Sequence, residues 1–245
     1  MDKINFFSHS PLVDGIVKGL TLSKSLFVST IIYGEPHSGK LTLVRSFFPK
    51  SYIVDANNLE RLKQALESHD ELIIYNFEVI QSVDMLGLEN KRIIAIANYE
   101  TPPPSIEMHF AFIYRMPPLR ERIEDVYYFL EMFLKEFKND LMIEESVKID
   151  IDHLDLSQNF KSLKISLHRE LIKKTLSAQD IEEILYDYLY KNLEGKNGYR
   201  EYLVLYEKPL IEAGLKKFKS QLKLSEILGV NRNTLRKKIH EHDID

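Results

Sequence analysis

The sequence predicts an α/β domain with a parallel sheet, followed by an all-helical region that ends in a helix-turn-helix. Apolar runs of strand length alternate with helix-like stretches up to Pro118, which is typical of parallel sheets covered by helices. After Pro118 nearly every segment has helical spacing. Residues 206–245 carry nine Lys and Arg against six acids, a net +3, which leaves −7 for the rest of a chain whose total is −4.

The predicted strands and helices alternate regularly in the first part of the chain. Short, β-branched or continuously apolar runs are typical of parallel strands that are buried on both faces. The predicted strands are Ser29–Tyr33, Ser51–Val54, Glu71–Tyr75, Arg92–Ala97 and Phe110–Tyr114. The predicted helices are Lys40–Phe48, Leu59–Ser68 and Ile123–Phe137. Polar stretches at residues 194–198 and, more weakly, 139–145 indicate linkers.

The composition is that of a globular protein with a hydrophobic core. Hydrophobic residues make up 44% of the chain and charged residues 29%. No apolar run reaches the length of about eighteen residues that a membrane span needs, so we expect no membrane partner. Without cysteine, neither disulfides nor thiolate metal sites are available. The N-terminus lacks the zones of a signal peptide, so we expect a cytoplasmic protein.

A phosphate-binding loop is predicted between the first strand and the first helix. The segment GEPHSGK matches the G-x-x-x-x-G-K pattern, in which glycines let backbone N–H groups surround a phosphate and the lysine supplies a cation. The alternative is a tight glycine turn with a solvated lysine. The expected nucleotide-binding residues are Gly34, Glu35, Pro36, His37, Ser38, Gly39, Lys40 and Leu41, with Asn98 at the end of a later strand.

The groups that would make a bound phosphate react are missing from the expected places. Leu41 stands where a hydroxyl usually helps to hold magnesium. Asn76 follows the strand whose end should carry an acid, and the first carboxylate there is Glu78. Tyr75 and Phe77 are expected to pack against neighbouring helices. We therefore expect no catalytic residue and no metal site, and either ATP or ADP held without hydrolysis or an empty, structural loop.

The C-terminal segment has the pattern of a helix-turn-helix. Three helices are predicted, at Lys208–Phe218 with Pro209 in its first turn, at Gln221–Leu228 and at Asn231–His242, and Gly229 makes the turn. Leucine and isoleucine of the last helix face inward, and its basic face is free for DNA. The alternative is a solvated basic helix packed on the body. The expected DNA-binding residues are Asn231, Arg232, Thr234, Arg236, Lys237 and Lys238.

Several of these segments resemble the AAA+ activators of sigma-54 RNA polymerase. GEPHSGK resembles their Walker A motif, and RIIAIAN at Arg92–Asn98 resembles their sensor I strand. The most specific similarity is RMPPLRERIEDVYYFLEMFL at Arg115–Leu134, a proline, leucine and paired-arginine segment that leads into a helix. LSQNFKSL at Leu156–Leu163 weakly resembles the sensor II segment, with Lys161 in place of the usual arginine.

The C-terminal segment resembles the helix-turn-helix of Fis, which also ends the sigma-54 activators. GVNRNTLRKKI at Gly229–Ile239 is the specific part, and EKPLIEAGL at Glu207–Leu215 resembles the preceding dimerisation helix. Phe218, Lys219 and Ser220 depart from the glycine-asparagine turn that is more usual there. The resemblance implies a protein that binds double-stranded DNA as a homodimer or higher oligomer. Our candidate dimer surface combines Lys208–Phe218 with Asp180–Leu193.

The departures from this family indicate a degenerate relative. The GAFTGA loop has no counterpart, because only 36 positions separate Lys40 from Asn76. The stretch PPPSIEMH, directly before Phe110, has no arginine to serve as a trans-acting finger, and the nearest Lys or Arg is Arg115. In this family, coupling of ATP hydrolysis to polymerase remodelling needs the GAFTGA loop, the finger arginine and the Walker B acids, which are also absent here.

The sequence therefore predicts three parts and a regulatory role. They are an AAA+-like P-loop α/β domain at residues 1–138, a helical lid at 139–195 and a Fis-type helix-turn-helix at 199–245. We expect a DNA-binding transcription regulator that does not remodel sigma-54 polymerase, with RNA polymerase as a candidate partner. The alternatives are an active DNA-bound ATPase of the sigma-54 activator type and a nucleoid-associated protein.

Overall fold

The computed structural model describes residues 6–140 and 148–244, with the side chain of residue 85 set aside, and divides the chain into two compact units. The first unit is Met1–Thr175 and the second is Leu176–Asp245. Most of the weaker predicted linker at residues 139–145 lies outside the described residues. The predicted linker at 194–198 separates two helices of the second unit, and the three-part division stays a prediction.

The first unit contains a five-stranded parallel sheet, as predicted. Its strands are β1 (Thr30–Tyr33), β2 (Tyr52–Asp55), β3 (Glu71–Tyr75), β4 (Arg92–Ala97) and β5 (Phe112–Arg115). Their spatial order is β2-β3-β4-β1-β5, and all neighbours are parallel. Every residue of β4 is buried, which explains why it is apolar throughout after its first residue, Arg92. The carboxyl ends of β1, β3 and β4 meet at one edge of the sheet, where parallel α/β proteins place ligands.

The fifth strand begins two residues later than predicted. Phe110 is 4% exposed and its ring meets that of Phe77 edge to face, with centroids 5.3 Å apart. Because Phe110 follows a short 3-10 turn at Pro104–Met108, its ring enters the core before the backbone becomes extended. Phe77 is fully buried in the same core beside the sheet. The expectation that Phe77 packs into the interior is therefore correct.

Helices cover both faces of the sheet, because alternate strand residues point to opposite sides. Ile32 and Ile94 contact one hydrophobic cluster, whereas Ile31 and Ala95 contact the other. The helices of this unit are α1 (Pro11–Leu26), α2 (Lys40–Phe47), α3 (Leu59–Ser68), α4 (Ile123–Asp140) and α5 (Phe160–Thr175). Helices α4 and α5 share a third cluster, which brings the start of α5 close to the end of the sheet that carries the phosphate loop.

The second unit consists of α6 (Ala178–Asn192), α7 (Gly198–Phe218), α8 (Gln221–Leu228) and α9 (Arg232–Glu241). The prediction that a helix starts at Lys208 is wrong, because α7 begins ten residues earlier at Gly198. Pro209 therefore lies inside the helix and not in its first turn. A proline removes one backbone donor, and the helix continues because its other turns keep their hydrogen bonds. The bounds of α8 agree with the prediction.

Candidate functional site

The phosphate loop joins β1 to α2 and has the backbone that its glycines permit. Gly34 and Gly39 have φ angles of 135° and 95°, and His37 between them has a φ of 58°. A Cβ on Gly34 would lie 2.6 Å from the carbonyl oxygen of Met116, so a side chain is excluded there by space as well as by conformation. The loop ends at the N-terminus of α2, where free N–H groups favour an anion.

Lys40 is buried beneath this loop and is not the solvated lysine of the alternative interpretation. Lys40 is 4% exposed, and its Nζ donates to the carbonyl oxygens of Gly34 at 2.7 Å and Glu35 at 2.6 Å. A third bond goes to Oδ1 of Asn98 at 3.1 Å. Burial lowers the pKa of Lys40 from 10.5 to about 8, while the nearby carboxylates of Glu78 and Glu35 oppose that shift.

Glu78 holds Asn98 in place at the end of β4. Its two carboxylate oxygens accept from the backbone N–H of Asn98 at 3.0 Å and from the side-chain Nδ2 at 2.6 Å. The amide of Asn98 therefore turns its oxygen toward Lys40. The Lys40 ammonium, the Asn98 amide and the Glu78 carboxylate thus form a hydrogen-bonded chain. Glu78 lies in the short 3-10 turn Phe77–Val79 that follows β3, and the sequence gave no signal for its contact with Asn98.

Asn76, at the place of the expected acid, points toward the neighbouring strand. It has a left-handed φ of 56°, and its Nδ2 donates to Oδ1 of Asp55 at 2.9 Å. Asn57 donates to the same carboxylate oxygen at 3.0 Å from its backbone N–H. These two hydrogen bonds and one from Tyr75 hold the pKa of Asp55 below its ordinary value, although burial alone would raise it.

The paired-arginine segment before α4 supports the loop from outside. Arg120 makes a two-pronged ion pair with Glu35, with Nη1 donating to Oε2 at 2.8 Å. Arg122 is 1% exposed, and its Nη2 donates to the carbonyl oxygen of Ser38 at 2.8 Å. Asn159 donates to the carbonyl oxygen of Pro36 at 3.0 Å. The loop is thus held in one conformation by side chains from distant parts of the chain.

A cleft of about 760 Å³ opens beside the loop, within the size range of small-molecule sites. Its basic lining residues are Lys40, Lys161 and Lys164, and Lys164 Nζ lies 4.3 Å from the centre of the Phe133 ring. Its apolar lining residues include Phe6, Phe7, Phe129, Met132, Phe133 and Phe160.

Most of the predicted loop residues line this cleft, and it contains others that the sequence did not indicate. Pro36, His37, Ser38, Gly39, Lys40, Leu41 and Asn98 all line it, whereas the side chain of Glu35 turns to Arg120. Lys164 could have been proposed from its spacing of one helical turn from Lys161. Thr42 places a hydroxyl one position after Leu41 in the cleft wall. Phe6 and Phe7 come from a distant part of the chain and have no motif.

Two further observations concern the described residues as a whole. Across residues 6–140 and 148–244 no group of three His, Asp or Glu side chains lies together as a metal site would require. Within the same residues no helix is both long and apolar enough to cross a bilayer.

Arg115, the nearest basic residue to the place of a finger arginine, pairs with Glu121 at 3.0 Å.

The second unit ends in a helix-turn-helix with capped helices and its own core. Gly229 ends α8 with a left-handed φ of 64°, and Asn231 caps α9 by accepting from the N–H of Asn233 at 2.8 Å. Leu235 is 1% exposed and shares a cluster with two other buried residues, Ile211 of α7 and Leu224 of α8. The turn before α8 uses Lys219 at a left-handed φ of 51°.

The predicted DNA-binding residues lie on or next to α9, and most are exposed. Arg232, Thr234, Arg236 and Lys237 are all exposed. Lys238 differs, because its Nζ donates to Oε1 of Glu207 on α7 and its side chain is 30% exposed. Three polar residues that the sequence did not indicate, Gln221, Asn233 and His240, line a groove that they share with Arg236 and Lys237.

The predicted dimer surface carries exposed apolar side chains. On α6, Ile184 is 57% exposed and Tyr190 is 82% exposed. On α7, within the predicted range, Leu210 is 36% exposed.

The chain is similar in sequence to known bacterial DNA-binding proteins. Residues 203–242 match the family described as bacterial regulatory proteins of the Fis family. The DNA-binding transcriptional regulator NtrC of Azospirillum brasilense is 32% identical over 167 residues, which cover 53% of this chain and 35% of NtrC. A Fis-like DNA-binding protein of Pseudomonas aeruginosa is 40% identical over 68 residues, which cover 26% of this chain and 64% of that protein.

The fold is similar to that of solved NtrX structures. NtrX from Brucella abortus in complex with ATP aligns with a TM-score of 0.50 and 17% identity, covering 98% of this chain and 69% of that one. The complex with ADP gives 0.51 and 16%. The chain thus spans only part of the length of these relatives. It has an AAA+-like part similar to that of NtrC and NtrX, and it ends in a Fis-type helix-turn-helix.

Proposed function

We propose that this chain is a transcription regulator that binds DNA through α8 and α9 and whose AAA+-like part holds a nucleotide without remodelling sigma-54 polymerase. The observation that carries the proposal is the exposed basic face of α9, held by a buried core and following a left-handed glycine turn. Such a helix enters the major groove, where Arg and Lys contact phosphates and base edges.

The sequence match of residues 203–242 supports the same role, because the exposed basic side chains belong to the matched segment. A selection from a random duplex pool tests it, with the full chain as the binding protein. We expect an enriched sequence that binds at least about 10³-fold more tightly than unselected DNA at stated salt. Binding without any enrichment would favour the nucleoid-associated alternative instead.

The nucleotide proposal rests on the basic and aromatic residues that line one cleft. Three lysines line the cleft, and no carboxylate is among the described residues that line it, so it attracts an anion. The aromatic walls fit a flat base, and the loop and the N-terminus of α2 fit phosphates. Calorimetry with ATP and ADP tests binding, and Lys40→Ala should abolish the heat.

Loss of turnover is proposed from the neighbourhood of Lys40. Leu41 offers no hydroxyl to a metal, Asn76 is bonded to Asp55, and both oxygens of Glu78 accept from Asn98. In residues 41–75 the connections between α2, β2, α3 and β3 are two to four residues long, which leaves no room for a GAFTGA loop. Without these groups phosphoryl transfer should slow by several orders of magnitude.

The second candidate is an active DNA-bound ATPase, and the position of Glu78 favours it. Glu78 accepts a hydrogen bond from Asn98, which in turn accepts one from the ammonium of Lys40. Thr42 lines the same cleft and carries a hydroxyl. Steady turnover of about one per second or more, lost in Lys40→Ala, would establish this candidate. Bound ATP that stays intact over hours would establish a binding-only site.

We further propose a homodimer formed by α6 and α7, with RNA polymerase as a candidate partner of the assembled regulator. The exposed apolar residues of these helices support the proposal, and two recognition helices bind a two-fold symmetric site. Light scattering at micromolar concentration should give twice the chain mass of 28.7 kDa. A monomer both with and without DNA would contradict the proposal.

A further inference from the structure

The described chain begins with a short segment, Phe6–Ser10, that forms part of the cleft wall before α1 starts. Phe6 and Phe7 both line the cleft. The ring of Phe6 lies 3.9 Å from where a Cβ would stand on Gly39 of the phosphate loop. Phe7 is 48% exposed, so part of its side chain is accessible from the cleft or from solvent. The segment therefore contributes to the site without belonging to any regular element.

A buried carboxylate accepts two hydrogen-bond donors of this segment. Asp125, in the first turn of α4, is fully buried and accepts from Ser8 Oγ at 2.8 Å and from the backbone N–H of His9 at 2.6 Å. The ring of His9 also meets Tyr128 of α4 edge to face, with centroids 4.8 Å apart. The segment thus depends on α4 for its position.

The same carboxylate is connected to the phosphate loop. Arg122 donates from Nη1 to Asp125 Oδ2 at 3.2 Å and from Nη2 to the carbonyl oxygen of Ser38 at 2.8 Å. Both members of this ion pair are almost fully buried. Separating the two members of a buried ion pair leaves each charge uncompensated, which is strongly unfavourable. A movement of Asp125 is therefore expected to displace Arg122 and, with it, the phosphate loop at Ser38.

We propose that Asp125 is a positioning residue that links the Phe6–Ser10 segment to the phosphate loop, so that ordering of the segment and nucleotide binding favour each other. The inference rests on the proposed nucleotide site. The segment supplies an aromatic wall for the base, and the loop supplies the phosphate cradle. Because coupling between two events is reciprocal, a nucleotide must hold the segment as strongly as the segment improves nucleotide affinity.

Limited proteolysis with chymotrypsin measures the segment directly, because its sites include Phe6 and Phe7. The N-terminal peptide is quantified by mass spectrometry in the full chain with and without ATP, and calorimetry gives the ATP dissociation constant. ATP at ten times that constant should slow cleavage at these bonds about tenfold, if cleavage requires the unliganded form. Lys40→Ala should remove the protection by ATP.

Two variants test the role of Asp125. Asp125→Asn keeps the shape but removes the charge, and Ser8→Ala removes one bond to the segment while leaving Arg122 paired. Both should speed cleavage without ATP, and both should weaken ATP binding. The control is Glu124→Gln, an exposed acid in the same turn of α4, which should change neither quantity. Thermal denaturation identifies any variant that fails to fold, and Ser8→Ala keeps the test valid if Asp125→Asn does.

The outcomes separate the inference from the nucleotide proposal. If the wild-type chain gives no heat with ATP, the nucleotide proposal fails and the coupling fails with it. If ATP binds but leaves cleavage at Phe6 and Phe7 unchanged, only the coupling is overturned. ATP affinity equal to wild type in both Ser8→Ala and Asp125→Asn would overturn it as well.

Discussion

Glu207 of α7 neutralises Lys238, one of the residues expected to contact DNA. Lys238 Nζ donates to Oε1 of Glu207, and His242 approaches Oε2 at 3.2 Å. The hydrogen bond from Lys238, followed by that from His242, holds the pKa of Glu207 below its ordinary value against the effect of burial. Glu207 therefore stays ionised near neutral pH and withholds one cation from the α9 surface.

Replacing Glu207 with Gln should strengthen DNA binding. The change frees Lys238 for a phosphate, so the slope of log affinity against log salt should become steeper by about one. Fluorescence anisotropy with a labelled duplex at several salt concentrations measures this slope. Glu212→Gln is the matched control, since Glu212 lies on the same helix but pairs with Lys208 at 3.9 Å. Identical slopes for the two variants would show that Lys238 does not reach DNA.

Nucleotide affinity should fall as pH rises through the pKa of Lys40. Because burial lowers that pKa from 10.5 to about 8, the ammonium that attracts phosphate is lost above pH 8. A bound phosphate favours the ammonium, so binding near pH 8 to 9 should take up protons, and affinity should drop by up to about tenfold per pH unit above 8. Calorimetry in buffers of different ionisation enthalpy detects the uptake.

Lys40→Met is the control for this effect, because it has no proton to gain in that range. The same shift affects stability in the opposite sense. Since the folded pKa lies below the unfolded one, the free protein should become more stable between pH 8 and 10.5. An ATP affinity that is flat from pH 7 to 9 in the wild-type chain would contradict the role of Lys40.

Gly34 and Gly15 should respond in opposite ways to alanine. A Cβ on Gly34 meets the carbonyl oxygen of Met116 at 2.6 Å and the φ of 135° is strained for alanine, so we expect a loss of about 1–3 kcal/mol in the free energy of unfolding. Gly15 lies within α1 with open space around it, so alanine should stabilise by about 0.5–1 kcal/mol. Urea denaturation of both variants checks the pair, and equal effects would count against this loop geometry.

The sequence predicts the bounds of a strand well where the strand is buried on both faces, because the apolar run then extends over nearly the whole strand. Strands β3 and β4 have the predicted bounds because their apolar runs are buried on both faces. The start of α7 was missed because Pro209 is also typical of a first helical turn, and the competing signal at Asn197 and Gly198 is polar and short. Local pattern alone does not separate a helix start from a tolerated interior proline.

The site was predictable only where its residues are close in sequence. The loop from Gly34 to Lys40 carries its own pattern, and so does the basic face of α9. The pairing of Lys238 with Glu207 joins residues 31 positions apart, and that of Ser8 with Asp125 joins residues 117 positions apart. Such contacts depend on how helices and strands pack against one another, and the periodicity of a single segment carries no information about that packing.

The central claim, that α9 is the DNA-binding element, is tested most directly by a charge-matched comparison of DNA affinity. Arg232→Ala with Arg236→Ala removes two exposed cations from α9, and Lys18→Ala with Lys63→Ala removes two exposed cations from the α/β part. We expect the α9 pair to lose about 2–6 kcal/mol of binding free energy to a selected duplex, at about 1–3 kcal/mol for each residue that contacts a base. The control pair should bind as the wild-type chain does. Equal losses in the two pairs would mean that DNA is held by overall charge, and wild-type affinity in the α9 pair would show that DNA is bound elsewhere.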